Sequence, residues 1–162
     1  MILYHGSTVK VMRPALVKCR PNTDFGKGFY TTTSLDQAKK WAKLKQQRAG
    51  NGNAIVSTFE IDDELFNRTN ELEILQFTGP DEKWLNFVTN NRKGNSVTHY
   101  DIVFGPVAND RLFATITLFE QGILSVDAAI EQLKTHRLFD QISFNSQKAL
   151  DYLQYIDMEK QV

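Results

Sequence analysis

The chain opens on ILYHGS, residues 2–7, and follows it with DFGKGFYTTT, residues 24–33. His5 supplies an imidazole that can donate, accept or shuttle a proton near neutrality. Gly26-Lys-Gly28 is either a turn that lets backbone approach a ligand closely or only a tight turn before a strand. It is not the dinucleotide fingerprint of a Rossmann fold, because the third glycine is missing and a strand, not a helix, should follow. It is not a P-loop either. The three histidines, His5, His99 and His136, have no metal-ligand spacing, so no metal site is expected. Cys19 could be a nucleophile with a distant histidine, but it lies in a Lys/Arg-rich segment without a recognisable signature. Lys39, Lys40, Lys43, Lys45 and Arg48 form a basic run. It reads as a solvated helix face or as a rim for a phosphate-bearing ligand, the first being the simpler reading.

The elements that must position these residues follow from periodicity and punctuation. Met1–Tyr4 suits a first buried strand, and residues 8–23, with Pro14 and Pro21, a long loop. Phe29–Thr32 suits a strand. Ser34 and Gln37 match a capping box, opening a helix through Leu35, Ala38, Trp41, Ala42 and Lys45 that stops near Gly50. Ala54–Ile61 is strand-like, and Glu71–Phe77 more weakly so. Asp81–Asn90 presents Trp84, Leu85 and Val88 on one helical face. Asp101–Val107 predicts a strand that stops at Gly105-Pro106. Asn109 or Asp110 can cap a helix to Gly122, and Ser125 another along Val126, Ala129, Ile130 and Leu133. Gln141–Phe144 is a short strand. Asn145 or Ser146 then caps a last helix through Ala149, Leu150, Leu153 and Ile156. Helices and strands mix without βαβ alternation, which predicts an α+β fold on mostly antiparallel strands.

Length and composition allow one domain over residues 1–162 with one sizeable core. Apolar residues are 41% and charged ones 23%, and the formal net charge is zero. That balance does not call for a nucleic-acid or acidic-membrane partner. A single cysteine excludes an internal disulfide. No apolar run is long enough to span a membrane, and the first residues lack signal-peptide features, so a cytoplasmic location is expected.

The order of Tyr4-His5-Gly6-Ser7, Gly26-Lys-Gly-Phe-Tyr30, Gln37-Ala38 and Gln141–Phe144 resembles the ADP-ribosyltransferase superfamily. The likeness is to its group with His, Tyr and Glu (or a substitute) at three signature positions, which includes the poly(ADP-ribose) polymerases. Nearly the whole chain, Ile2 to about Leu153, further resembles a small bacterial family of that superfamily catalogued as a domain of unknown function. LYHGS, DFGKGFYTT, YDIVFGPVAND and QISFNSQKAL carry that likeness. It implies a split, mostly antiparallel β core around an NAD cleft with flanking helices.

The resemblance also implies roles. His5 would bond a ribose hydroxyl, and Gly6 would offer N–H and C=O to the nicotinamide carboxamide. Tyr30 would stack on the nicotinamide ring, and Gly26 and Gly28 would turn tightly against the ligand. Ser7 belongs to the same binding set. Trp41 would add a second aromatic wall or belong to the core, the latter being the simpler reading. Polymerising members carry glutamate at the third position. Here Gln141 fills it, with Asp140 as the alternative. A glutamine can accept a hydrogen bond but cannot act as a general base. Chain building is therefore not expected. Asp101 is a catalytic helper or, more simply, an aspartate fixing a turn.

The activity implied is NAD-dependent mono-ADP-ribosyl transfer to an unidentified acceptor: a protein, a nucleic acid or a small molecule. Residues 8–23 and 78–98 are expected to set acceptor choice. Relatives sometimes sit beside a small gene in a toxin–antitoxin-like arrangement, so a small antitoxin protein is a further partner to consider. The alternatives are NAD hydrolysis and an NAD or ADP-ribose binding module without catalysis. Transfer of an RNA 2′-phosphate to NAD is disfavoured, because those relatives carry a histidine where Tyr30 stands and rely on basic residues for RNA.

Overall fold

The computed structural model describes residues 1–68, 71–95, 99–108, 110–134 and 139–161, without the side chains of 110 and 111. His136 and the Asn109 cap lie outside them.

Two sheets stand against each other. The first has the order β1-β3-β7 and is antiparallel throughout: β1 is Ile2–Ser7, β3 Ala54–Glu60 and β7 Gln154–Gln161. The second has the order β2-β6-β5-β4, with β2 Phe29–Thr31, β4 Ile74–Gln76, β5 Ile102–Pro106 and β6 Asp140–Phe144. Only its β4–β5 pair is parallel. Period-two alternation puts Leu3 and Phe59 of the first sheet against Phe29, Ile102, Ile142 and Phe144 of the second. That inter-sheet layer is the largest part of the core.

Helices cover both outer faces. Helix α1, Leu35–Ala49, lays Ala38 and Ala42 on Ala54 and Val56 of the first sheet. Helices α2 (Glu82–Arg92), α3 (Asp110–Glu120) and α4 (Val126–Lys134) cover the second, where Trp84, Leu85, Val88, Leu112, Ile116 and Leu133 surround Val103. The fold is α+β with one antiparallel and one mixed sheet.

Three expectations change. The first strand continues past Tyr4 to Ser7, because its register with β3 runs on to Ser7↔Ile55. The strand expected to stop at Gly105-Pro106 does so: β5 ends at Pro106, with Gly105 paired to Gln141 and Pro106 to Asp140. Val107 N–H bonds the Phe139 carbonyl, so Pro106 turns its missing donor to the other edge, where β4 has already ended. The capping box is half made: Ser34 Oγ accepts from Gln37 N–H at 3.2 Å, but Ser34 N–H bonds Thr32 Oγ1. The last helix, α5, is only Gln147–Leu150, capped by Ser146, and Ile156 lies in β7.

Candidate functional site

The two sheets meet edge to edge through one bridge. Tyr4 and Thr32 exchange both backbone hydrogen bonds, at 2.9 and 3.0 Å. In an antiparallel strand, alternate residues turn their N–H and C=O to opposite edges. Gly6, two residues past Tyr4, therefore faces this same edge, just beyond the bridge. Lys45 Nζ from α1 donates to the Gly6 carbonyl at 2.7 Å.

His5 Nδ1 lies 2.6 Å from the Tyr30 carbonyl oxygen. A carbonyl can only accept, so Nδ1 carries the proton. Burial first, and the positive charge of Lys45 second, lower the His5 pKa to about 3, against the opposing pull of the Tyr30 carbonyl. His5 is only half-buried as a residue, but its ring is desolvated by stacking on Phe29, with centroids 4.3 Å apart. The imidazole is thus neutral, with Nε2 left as a lone-pair acceptor.

Tyr30 is fixed at both ends. Its hydroxyl accepts from Phe25 N–H and donates to the Gly26 carbonyl, each at 2.8 Å, with Thr23 Oγ1 at 3.0 Å. Burial, the largest influence, holds the phenol pKa well above its ordinary value, so it stays a donor. Gly26 has φ 85°, which closes the 23–26 turn over that hydroxyl. The opening DFGKG is therefore a brace that holds the tyrosine ring.

Gln141 is buried, and its Nε2 lies 3.3 Å from Asp24 Oδ2 and 3.4 Å from the Pro106 carbonyl oxygen. Asp24 Oδ1 in turn pairs with Arg92 Nε at 2.9 Å. Neither Asp24 nor Arg92 was a sequence candidate. Asp24 opens the DFGKG motif, but only the α2 contact reveals its part. Asp140, the alternative third position, has its carboxylate taken by Thr32 Oγ1, Thr33 N–H and Thr33 Oγ1. With Thr31 Oγ1 on the Ile142 carbonyl, the three threonines fasten β2 to β6. Asp101 fixes a turn: its Oδ2 accepts from Glu73 N–H at 2.9 Å.

Other candidates fall differently. Gly6 is required by packing, since a Cβ there would collide with the Ala38 carbonyl oxygen and stand 2.8 Å from Ala42 N. Its backbone N–H and C=O face the edge beyond the Tyr4–Thr32 bridge. A Cβ on Gly28 would strike Asn145 and Ser143 of the β6 side. Ser7 ends β1 on the His5 face. Trp41 is half-buried and outside the core clusters, one helical turn from Lys45. Lys45 leaves the solvated face expected of the basic run, whereas Lys39 pairs with Glu159 and Lys40 lies over Phe139. Burial pushes the Cys19 thiol up, which works against a thiolate nucleophile.

Among the described residues no group of three His, Cys, Asp or Glu could hold a metal, and no helix is long and apolar enough to cross a membrane. A surface depression at the far end of β1 is ringed by Glu60, Asp62, Asp63 and Glu64. That depression lies away from the polar groups converging at the β1–β2 split, which hold more of the residues singled out by the sequence.

The molecule is thus an α+β protein whose two sheets part beside a neutral histidine and a braced tyrosine. The chain belongs to the family described as protein of unknown function (DUF3990), whose profile matches residues 1–155. No curated protein and no solved structure matches it.

Proposed function

We propose that the protein is an NAD-dependent mono-ADP-ribosyltransferase acting at the β1–β2 split. The observation that carries this reading is the neutral His5, its Nδ1–H held by Tyr30 and its Nε2 left as an acceptor. A ribose hydroxyl is the donor such a nitrogen accepts from. Gly6 N–H and C=O, at the same edge, match the acceptor and donor of a carboxamide. The Tyr30 ring, held by its hydroxyl, gives a fixed face for an aromatic ligand. In the reaction the bond between C1′ and the nicotinamide nitrogen breaks, and its electron pair goes to that nitrogen. An acceptor nucleophile then adds to C1′ and loses a proton. The protein's share is positioning and electrostatics.

The test is nicotinamide release from NAD in the cytoplasm-like conditions of a reducing buffer, with and without cell lysate. Release is expected from the wild type and should fall at least about 100-fold, the scale of a lost positioning contact, in His5→Ala and Tyr30→Ala. Dependence on lysate would identify transfer, and independence hydrolysis. If the reading extends to a toxin, expression of wild type but not His5→Ala should arrest growth, and a small cognate protein should relieve it. No release and no NAD binding would overturn the reading.

One observation favours a second reading. Gln141 is tied to Asp24 and Pro106 and cannot serve as a base. A binding module for NAD or ADP-ribose would show a ligand-induced rise in Tm without nicotinamide release.

A further inference from the structure

One short turn reaches two of the site's side chains. Residues 23–26 close on the Tyr30 hydroxyl through Thr23 Oγ1, Phe25 N–H and the Gly26 carbonyl. The same turn brings Asp24 Oδ2 to 3.3 Å from Gln141 Nε2. Tyr30 pairs with Ser143, and side chains alternate along a strand, so Tyr30, Ser143 and Gln141 share one face of the second sheet. Two residues of α2 hold the turn in place. Asn91 Nδ2 donates to the Asp24 carbonyl at 3.1 Å, and Arg92 Nε to Asp24 Oδ1 at 2.9 Å. Asp24 thereby decides which way the Gln141 amide faces. The Asp24 carboxylate and the Pro106 carbonyl can only accept, so both contacts need the amide nitrogen. The Pro106 carbonyl is itself fixed, by Trp84 Nε1 at 3.2 Å. The amide oxygen Oε1 is turned the other way, and no described residue donates to it. Gln141 is a buried residue, but that oxygen is not one of the buried polar atoms without a partner, so it keeps contact with solvent.

We infer that Asp24 is a positioning residue for the proposed reaction: paired with Arg92, it holds the Gln141 amide so that Oε1 accepts from a ribose hydroxyl of the ligand. This rests on the NAD reading of the pocket. The carboxylate acts through Gln141 and does not itself touch the ligand. Replacing it by an amide reverses the arrangement. In Asp24→Asn the side-chain oxygen stays on Arg92, so the new nitrogen faces the Gln141 nitrogen. Two donors cannot bond each other, and the Gln141 amide turns over to accept with the oxygen the ligand needs.

The experiment is titration of the purified full chain with NAD, nicotinamide riboside and nicotinamide. The last two differ by the ribose and the ring charge that comes with it. Wild type should bind the riboside more tightly than nicotinamide. In Asp24→Asn that advantage should shrink about five- to ten-fold, the scale of one lost hydrogen bond, with nicotinamide affinity unchanged. Gln141→Leu removes the acceptor oxygen without altering the charge of Asp24 and should lose the same advantage. Asp24→Asn combined with Gln141→Glu exchanges amide and carboxylate at constant net charge. One carboxylate oxygen then takes the new donor and the other stays open, so the advantage should return. These two variants decide the matter should Asp24→Asn alone fail to fold. Equal loss of riboside and nicotinamide in Asp24→Asn marks a structural brace only and overturns the inference. An undiminished riboside advantage in Asp24→Asn or in Gln141→Leu overturns it too. Either result leaves NAD binding by the wild type, and with it the NAD reading, standing. A wild type that binds none of the three ligands sinks that reading and the inference together.

Discussion

His5 shows how one side chain couples protonation to the fold. Its pKa falls from the ordinary 6.5 to about 3 on folding. Between those values the unfolded chain binds a proton that the folded one refuses. The contribution to stability is therefore complete above pH 6.5 and declines as the pH drops toward 3. Tm measured from pH 7.5 to 4.5 should fall less steeply in His5→Gln than in the wild type. Gln141 tests the third position. Gln141→Glu would bury a second carboxylate 3.3 Å from Asp24, so it should cost about 3 kcal/mol and not restore a glutamate's chemistry. Denaturant melts should show Asp24→Asn recovering much of that loss in the double variant. At this scale the sequence was informative about His5, Gly6 and Tyr30, because each stands in a short motif. Asp24, Arg92 and Lys45 were not legible, since their roles arise from contacts between elements far apart in the chain.

Among the elements, β1 and α1 are in close backbone contact at the site. Strand meets helix at Gly6, Ala38 and Ala42, where a single added methyl has no room. Gly6→Ala should destabilise by about 3 kcal/mol by forcing the helix away, and should carry Lys45 off the β1 edge with it. Chemical denaturation gives the first effect, and loss of any ligand binding gives the second. Helix starts were readable from Ser34, Asp81, Ser125 and Ser146, whose side chains each accept from the backbone N–H three residues on, a contact that needs no tertiary partner. The C-terminal strand β7 was not. Leu150, Leu153 and Ile156 carry a helical spacing, but Tyr152 and Leu153 close α5 back on Ala149 and Leu150, and pairing with β3 claims the rest. A short amphipathic period does not decide between helix and edge strand when a partner strand stands open.

In the whole molecule, the inter-sheet core holds the site's geometry. Phe59 of the first sheet meets Phe29 of the second edge-on at 5.5 Å, and Phe29 meets His5 on its other side. Phe59→Ala should cost about 3–5 kcal/mol in denaturant melts and, by loosening Phe29, should also raise the His5 pKa measured by NMR. Mostly antiparallel α+β architecture was legible from the mixed order of elements. The grouping of strands into two sheets was not, because it is set by pairings between strands far apart in the chain, such as His5↔Ser57 and Tyr30↔Ser143. Traced from β7 through β3 and β1 to β2, β6, β5 and β4, the strands make one continuous ribbon with a narrow seam at Tyr4–Thr32. Two backbone bonds span that seam, and the His5–Tyr30 bond is a third stitch across it. The ladders on either side are several pairs long, so the seam is the shortest stretch of pairing along the ribbon. His5, whose ring bonds the Tyr30 carbonyl across that seam, is therefore a tie between the two halves of the ribbon as well as a candidate for chemistry.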